Sequence, residues 1–328
     1  MSPTTCLPAL LFGALAVACA AAPDEGPTAA VTEAVVGGEI SGPADDFVVR
    51  IVADQPEPYE TGGCSGTLVA PNLLLTALHC VSVFDLDAKF GCQPDGSALP
   101  SGAGWIGDLL DPASVAVYFG TELPLTVSAH GVEIFGAHST FACVDDVAFV
   151  VLDTALPAGG VALRNERPVV QGESLTVIGY GNNEFSDVAR ARRSGVTVVD
   201  VGPADTSEEL GNLPPRNFLV GDGPCNDHGG PALSDETGAV VGVFRQNSAG
   251  NCLRSGSFGT FVEIAPLMDL ARRAFDAAGA KLRVETPAAT PPVRRASCSF
   301  APGHRDPLSG ASALGVLALL LLCRRRVH

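Results

Sequence analysis

The sequence predicts an all-β fold with a single helix near the C-terminus. Its 37 Gly and 25 Pro separate short apolar runs that are rich in Val, Ile and Leu, a pattern typical of an antiparallel sandwich or barrel. Residues 264–278 differ, because apolar side chains recur there at helical spacing and Pro266 lies near the start. Residues 85–112 are rich in Gly, Asp, Pro and Ser and predict a long surface loop. The predicted strands span residues 47–52, 67–70, 73–76, 115–119, 147–152, 175–179, 196–201 and 240–244.

The charge of the chain excludes one class of partner. The formal net charge is -16 at pH 7, so little basic surface is available to neutralise phosphates, and we expect no nucleic-acid binding. An acidic surface favours solubility. It does not identify a partner.

The N-terminus predicts export. Residues 1–22 contain an apolar run that ends in small residues and is too short to span a bilayer comfortably, as in a signal peptide. The Ala-Val-Ala-Cys sequence that ends at Cys19 is similar to a lipobox, in which Cys19 would be acylated after cleavage. Simple cleavage near Ala20 or Ala22 is the alternative. Residues 23–34 would then form a short propeptide-like segment.

The C-terminus predicts a linker and a sorting or anchor segment. Residues 281–297 form a Pro/Ala/Thr-rich linker that cannot bury a core, so we place the folded domain at residues 35–280. Residues 298–328 contain Cys298, a short apolar run and an arginine cluster. They resemble the C-terminal sorting tail of myxobacterial surface proteins, which implies secretion or display at the cell surface or outer membrane. An ordinary C-terminal anchor is the alternative, and in both cases only the terminal segments would contact a membrane.

Six of the ten cysteines lie in the body of the chain. An even number of cysteines in an exported domain predicts disulfide bonds. No two have the Cys-x-x-Cys spacing of a zinc ribbon, so we expect no metal site of that kind. The six are Cys64, Cys80, Cys92, Cys143, Cys225 and Cys252.

Two motifs carry a resemblance to a known family. Thr-Ala-Leu-His-Cys ends at Cys80, with Cys64 upstream, and Asp-Val-Ala-Phe begins at Asp146. Both are similar to motifs of the trypsin-like serine peptidases. The resemblance implies two six-stranded antiparallel β-barrels, with His79 as general base and Asp146 as the carboxylate that orients it. Asp145 is adjacent, but the Asp-Val-Ala register favours Asp146.

The same resemblance implies two disulfide bonds and an activation contact. Cys64–Cys80 would fix the turn that carries His79, and Cys225–Cys252 would flank the specificity pocket. Cys92–Cys143 is the third expected pair, because both lie in the region of the first barrel and have no other partner. Val35 begins a segment similar to the mature N-terminus of the family, and Asp227 stands where the family pairs an Asp with that α-amino group.

The sequence departs from the family at the nucleophile. Cys-Asn-Asp-His-Gly-Gly-Pro spans residues 225–231, so His228 occupies the position of the serine, and one residue is missing between the cysteine and the nucleophile. Arg245 and Asn247 replace a Ser and a substrate-pairing Gly of the family. Gly223 aligns with the floor of the specificity pocket, where no aspartate favours basic substrates.

These features together predict an exported trypsin-like homologue that has lost peptidase activity and binds a protein or peptide ligand. No cofactor and no metal is expected. An active serine endopeptidase is one alternative. A repurposed acid–base or metal site that uses His79 and His228 is another.

Overall fold

The computed structural model describes residues 38–59, 61–85, 91–99, 104–121, 125–181, 190–205, 212–221, 226–247 and 258–286. All of these residues belong to the first of two units of the chain, Met1–Ala288. The expected signal peptide, propeptide-like segment and C-terminal tail lie outside them. In the described ranges, no helix has both the length and the hydropathy that a membrane crossing requires.

The first barrel is a closed antiparallel sheet with the strand order β2-β3-β4-β7-β6-β5. Strands β4 and β7 are buried along their whole length, which agrees with their nearly continuous apolar sequences. The first seven strands are β1 (Glu39–Ile40), β2 (Val48–Ala53), β3 (Gly63–Ala70), β4 (Leu73–Thr76), β5 (Val115–Tyr118), β6 (Val127–Gly136) and β7 (Ala148–Leu152).

The second barrel is also closed, because β8 pairs with both β9 and β11. Its order is β8-β9-β10-β13-β12-β11, and β1 extends the sheet beyond β9. Three aromatic rings pack in its interior: Phe218 stacks on Phe261, and Phe244 meets Phe261 edge to face, each at 5.3 Å between centroids. The remaining strands are β8 (Ser174–Gly179), β9 (Ala191–Val201), β10 (Asn217–Gly221), β11 (Pro231–Ser234), β12 (Val240–Asn247) and β13 (Phe258–Glu263).

One α-helix follows the second barrel. Helix α1 (Met268–Ala277) begins after a 3₁₀ turn at Ala265–Leu267. It buries Leu270, Ala271 and Phe275 and packs against β6 and β7 of the first barrel. The helical spacing of its apolar residues therefore reflects a real contact face. The predicted fold, two six-stranded antiparallel barrels with one C-terminal helix, is confirmed.

The predicted start of the linker at residue 281 is wrong for residues 281–286. The carbonyl of Arg283 accepts a hydrogen bond from the N–H of Leu163 at 2.9 Å, and the N–H of Glu285 donates to the carbonyl of Leu163 at 2.8 Å. The carboxylate of Glu285 also binds the fully buried guanidinium of Arg164 at 2.9 Å. Because both backbone and side chain are engaged, the folded body extends to at least residue 286.

Candidate active site

His79 lies in a 3₁₀ turn, Leu78–Val81, directly after β4. The Cys64–Cys80 disulfide fixes this turn to β3. Only 1% of the His79 side chain is exposed. The disulfide thus anchors the turn next to His79, and the imidazole lies in the protein interior.

Asp146 orients that imidazole with both of its carboxylate oxygens. Oδ2 lies 2.6 Å from His79 Nδ1, and Oδ1 accepts the backbone N–H of His79 at 2.9 Å. Because a carboxylate only accepts hydrogen bonds, Nδ1 of His79 must carry a proton, and the neutral ring presents a lone pair at Nε2. The neighbouring Asp145 instead forms an ion pair with Arg216 at 3.1 Å. The structure thus brings together the pair that the family register indicates.

His228 completes a line of three side chains. Its Nδ1 lies 3.0 Å from His79 Nε2 and 2.9 Å from the carbonyl oxygen of Arg245. The two imidazole rings are almost perpendicular, with centroids 4.9 Å apart. Burial and the adjacent His79 lower the pKa of His228 to about 3, against weaker opposing effects of the Arg245 carbonyl and Asp146. His228 is therefore neutral at physiological pH.

The backbone around His228 is docked on both barrels. The N–H of Ser65 in β3 donates to the carbonyl of His228 at 2.7 Å, and the N–H of Gly229 donates to the carbonyl of Phe244 at 2.9 Å. Gly229 has φ of 79°, and an added Cβ would lie 2.2 Å from Thr76 Oγ1 and 2.3 Å from the Ser65 carbonyl. Only glycine fits here. Ser65 has no local sequence signal for this role, because the role depends on contact between the barrels.

Asn226 and Asn247 bind one another beside this turn. Asn226 has φ of 56°, and its backbone N–H donates to Asn247 Oδ1 at 3.4 Å. In return, Asn247 Nδ2 donates to Asn226 Oδ1 at 2.6 Å. This reciprocal pair engages a backbone donor that lies two residues before His228, where the family resemblance places one donor of the oxyanion hole.

The side chain of Arg245, which replaces a serine of the family, is buried. Only 1% of it is exposed, and Nη1 lies 2.8 Å from both the Ala142 carbonyl oxygen and Cys92 Sγ. Burial lowers the pKa of this guanidinium to about 10, although the carboxylate of Asp146 opposes the effect. Arg245 therefore reaches toward the first barrel, where Cys92 is joined to Cys143.

Of the other predicted site residues, only some lie in the part of the chain that the structure describes. Asp227 is buried and accepts the N–H of Gly181 at 2.8 Å. Its expected partner, the α-amino group of Val35, lies outside the described residues. So do Gly223 and the cysteines of the remaining expected bridge, Cys225 and Cys252. The two bridges found here, Cys64–Cys80 and Cys92–Cys143, are those that the sequence analysis expects in this part of the chain.

A metal site has little support. Among the described residues, the one group of potential ligands is Cys64, His79 and Cys80. Its two sulfurs are bonded to each other and supply no thiolate. The nitrogens of His79 and the Nδ1 of His228 are engaged with Asp146, with each other or with a carbonyl. A cation between the two rings would have to displace these hydrogen bonds.

The geometry agrees with comparisons to known proteins. A family described as "Trypsin-like peptidase domain" matches residues 64–243. No curated protein is significantly similar to the chain. Among solved structures, an inactivated protease paralogue of the scabies mite, S-I1, is 16% identical over 73% of this chain and 99% of that chain, with a TM-score of 0.51. At this identity the similarity supports the fold alone. Because the family match spans more than half of the sequence, the chain belongs to the trypsin-like peptidase domain family.

Proposed function

We propose that the protein is a member of this family that has lost peptidase activity and binds a protein or peptide. The observation that carries the proposal is the placement of His228. A serine peptidase needs a hydroxyl within hydrogen-bond reach of the general base, and here the Nδ1 of an imidazole lies 3.0 Å from His79 Nε2. No serine or threonine hydroxyl contacts His79 among the described residues.

The surroundings of His228 add to this argument. The reciprocal Asn226–Asn247 pair engages a backbone donor that a tetrahedral intermediate would need, and removal of one such donor costs about 3–4 kcal/mol of transition-state stabilisation. The buried cation of Arg245 also opposes the positive charge that a working base gains during the reaction. The scabies mite protein, which has the same fold, is itself described as an inactivated protease.

A peptidase fold that has lost its serine nucleophile can still bind peptides without cleaving them. His79 follows a strand of the first barrel and His228 precedes a strand of the second, so the site lies where the two barrels meet, and a site that cannot cleave a bound chain can still hold it. The test measures binding of the purified full-length chain to a peptide library by fluorescence anisotropy, together with mass spectrometry of the same peptides. We expect bound and intact peptides. Efficient cleavage would contradict the proposal, as would the absence of any peptide or protein binding.

We also propose that the chain is exported and held at the cell surface or released. The N-terminal apolar run and the C-terminal tail support this proposal, and the two disulfide bonds are compatible with an oxidising compartment. Labelling of intact cells with a membrane-impermeant amine reagent, followed by detection with an antibody, tests it. Protein that is labelled only after lysis would contradict export.

A further inference from the structure

The hydrogen bonds of the site determine which ring nitrogens carry protons. The Arg245 carbonyl accepts hydrogen bonds and cannot donate, so the Nδ1 of His228 carries a proton. That proton lies between two acceptors, the Arg245 carbonyl and the lone pair of His79 Nε2. A neutral imidazole has only one N–H, so the Nε2 of His228 carries a lone pair. This nitrogen has no hydrogen-bond partner among the described residues, and the side chain is only half-buried.

From this arrangement we infer that His228 Nε2 is a nucleophile that accepts acyl groups from activated esters, with His79 as its base. The line Asp146–His79–His228 would act as Asp–His–Ser acts in an active peptidase, with an imidazole as the terminal nucleophile. Histidine forms covalent intermediates in other enzymes. The inference adds an activity that peptide binding neither requires nor excludes.

The reaction balances with water as the only co-reactant. Nε2 attacks the acyl carbon, the bond from that carbon to the alcohol oxygen breaks, and its electron pair leaves with the alkoxide or phenoxide. The Nδ1 proton passes to His79 Nε2, where the carboxylate of Asp146 stabilises the resulting imidazolium at 2.6 Å. Water then adds to the acyl-imidazole and the bond from the acyl carbon to Nε2 breaks: the hydroxyl and one proton leave in the carboxylic acid, and the second proton of the water neutralises the alkoxide or phenoxide. The proton returns from His79 to His228 Nδ1.

The leaving group restricts the substrates to esters of acidic alcohols, such as phenols. In the tetrahedral adduct of a peptide, imidazole leaves more readily than an amine, so the adduct reverts to the peptide. Once His79 has taken the Nδ1 proton, expulsion of His228 would release the strongly basic imidazolate, so a phenoxide leaves more readily and needs no proton. The same site can therefore turn over an activated ester while it remains inactive on peptides.

The charged groups around His79 and His228 limit the rate of ester turnover. His79 and Asp146 face His228 from the first barrel, and the carbonyl and guanidinium of Arg245 face it from β12. The buried cation of Arg245 opposes protonation of His79, and the Arg245 carbonyl loses its donor when the proton moves. Turnover should therefore be slow, with the acylation step under the control of His79.

The test uses the full-length chain and two reagents. Diethyl pyrocarbonate carbethoxylates neutral imidazole, and the modified residues are mapped by mass spectrometry after treatment at pH 5. An ordinary histidine with a pKa near 6.5 is only about 3% neutral at pH 5, whereas the pKa of His228 is lowered to about 3. We expect His228 to be the main modified residue. Labelling of the exposed His130 and His138 without His228 would overturn the inference, and this result requires no variant.

Hydrolysis of 4-nitrophenyl acetate then tests the assigned roles. H228Q should reduce the protein-catalysed rate to the background of the other histidines. H79Q should slow acylation of His228 by about a hundredfold, which is the usual contribution of a general base. The control H130Q removes an exposed histidine and should leave the rate unchanged. An equal rate in H79Q and the wild type, with both folded by circular dichroism, would overturn the assignment of His79.

Discussion

Replacement of His228 by serine is predicted not to create a peptidase. The substitution restores a hydroxyl but leaves the rest of the turn as it is. The Asn226 N–H still faces Asn247 Oδ1 at 3.4 Å, which corresponds to the loss of one oxyanion donor, about 3–4 kcal/mol or a factor of roughly 100–1,000 in rate. The turn also lacks one residue relative to the family, and a misplacement of about 1 Å costs about a hundredfold more. Together these effects predict a kcat/KM about 10⁴-fold or more below that of an active member.

The assay compares kcat/KM for a fluorogenic peptide library between H228S, the wild type and an active trypsin-like enzyme. A second variant combines H228S with N247G, R245S and insertion of a glycine before Asp227. This variant frees the backbone donor, removes the buried cation and restores the length of the turn, so it should exceed H228S in activity. If H228S alone came within tenfold of the active enzyme, the turn would already be organised for catalysis, and the structural argument would be refuted.

Three further predictions concern stability and are measured by urea unfolding. Glu285→Gln removes one of two carboxylates from the buried Arg164, which keeps its ion pair with Glu173, and should cost about 3 kcal/mol at pH 7. Because the pKa of Glu285 is lowered from 4.5 to about 2, the wild type should lose about 3 kcal/mol as the pH falls from about 4.5 towards 2. A variant as stable as the wild type, with the same pH dependence, would contradict a stabilising role for the Glu285–Arg164 ion pair. Gly229→Ala places a Cβ 2.3 Å from the backbone carbonyl of Ser65 in β3, so it should destabilise the fold by more than about 2 kcal/mol. An unchanged unfolding midpoint would show that the turn can relax and would contradict this prediction. Replacement of Cys92 and Cys143 by alanine opens a loop of 51 residues and should cost about 4 kcal/mol, whereas a loss below about 1 kcal/mol would indicate that the loop is held by other contacts.

The parts of the site that depend on local sequence could be predicted. His79 and Asp146 lie in short motifs at the ends of strands, and the cysteine next to His79 fixes that turn, so their proximity follows from the family register. The closed barrels are likewise predictable, although five strands have no counterpart among those predicted from the sequence: β1, β6, β10, β11 and β13. β6 contains two glycines among alternating polar residues, and β11 begins with a proline; both features weaken a strand pattern.

The parts that depend on long-range packing could not be predicted. The direction of the Arg245 side chain is set by Ala142 and Cys92, which are more than a hundred residues away in the sequence. The folded role of Glu285 depends on Arg164, which precedes the second barrel and lies 121 residues away in the sequence. A Pro/Ala/Thr-rich neighbourhood gives no local signal of that ion pair. In both cases a charged side chain is buried by a partner that sequence periodicity does not reveal.

The central claim, that no serine in this chain is activated as a nucleophile, is tested most directly by a fluorophosphonate probe. The purified full-length protein is incubated with the probe at pH 7.5 beside an active trypsin-like enzyme, digested, and searched by mass spectrometry for phosphonylated serine. We predict a stoichiometric serine adduct in the active enzyme and none in this protein. A stoichiometric adduct on any serine of this chain would contradict the account.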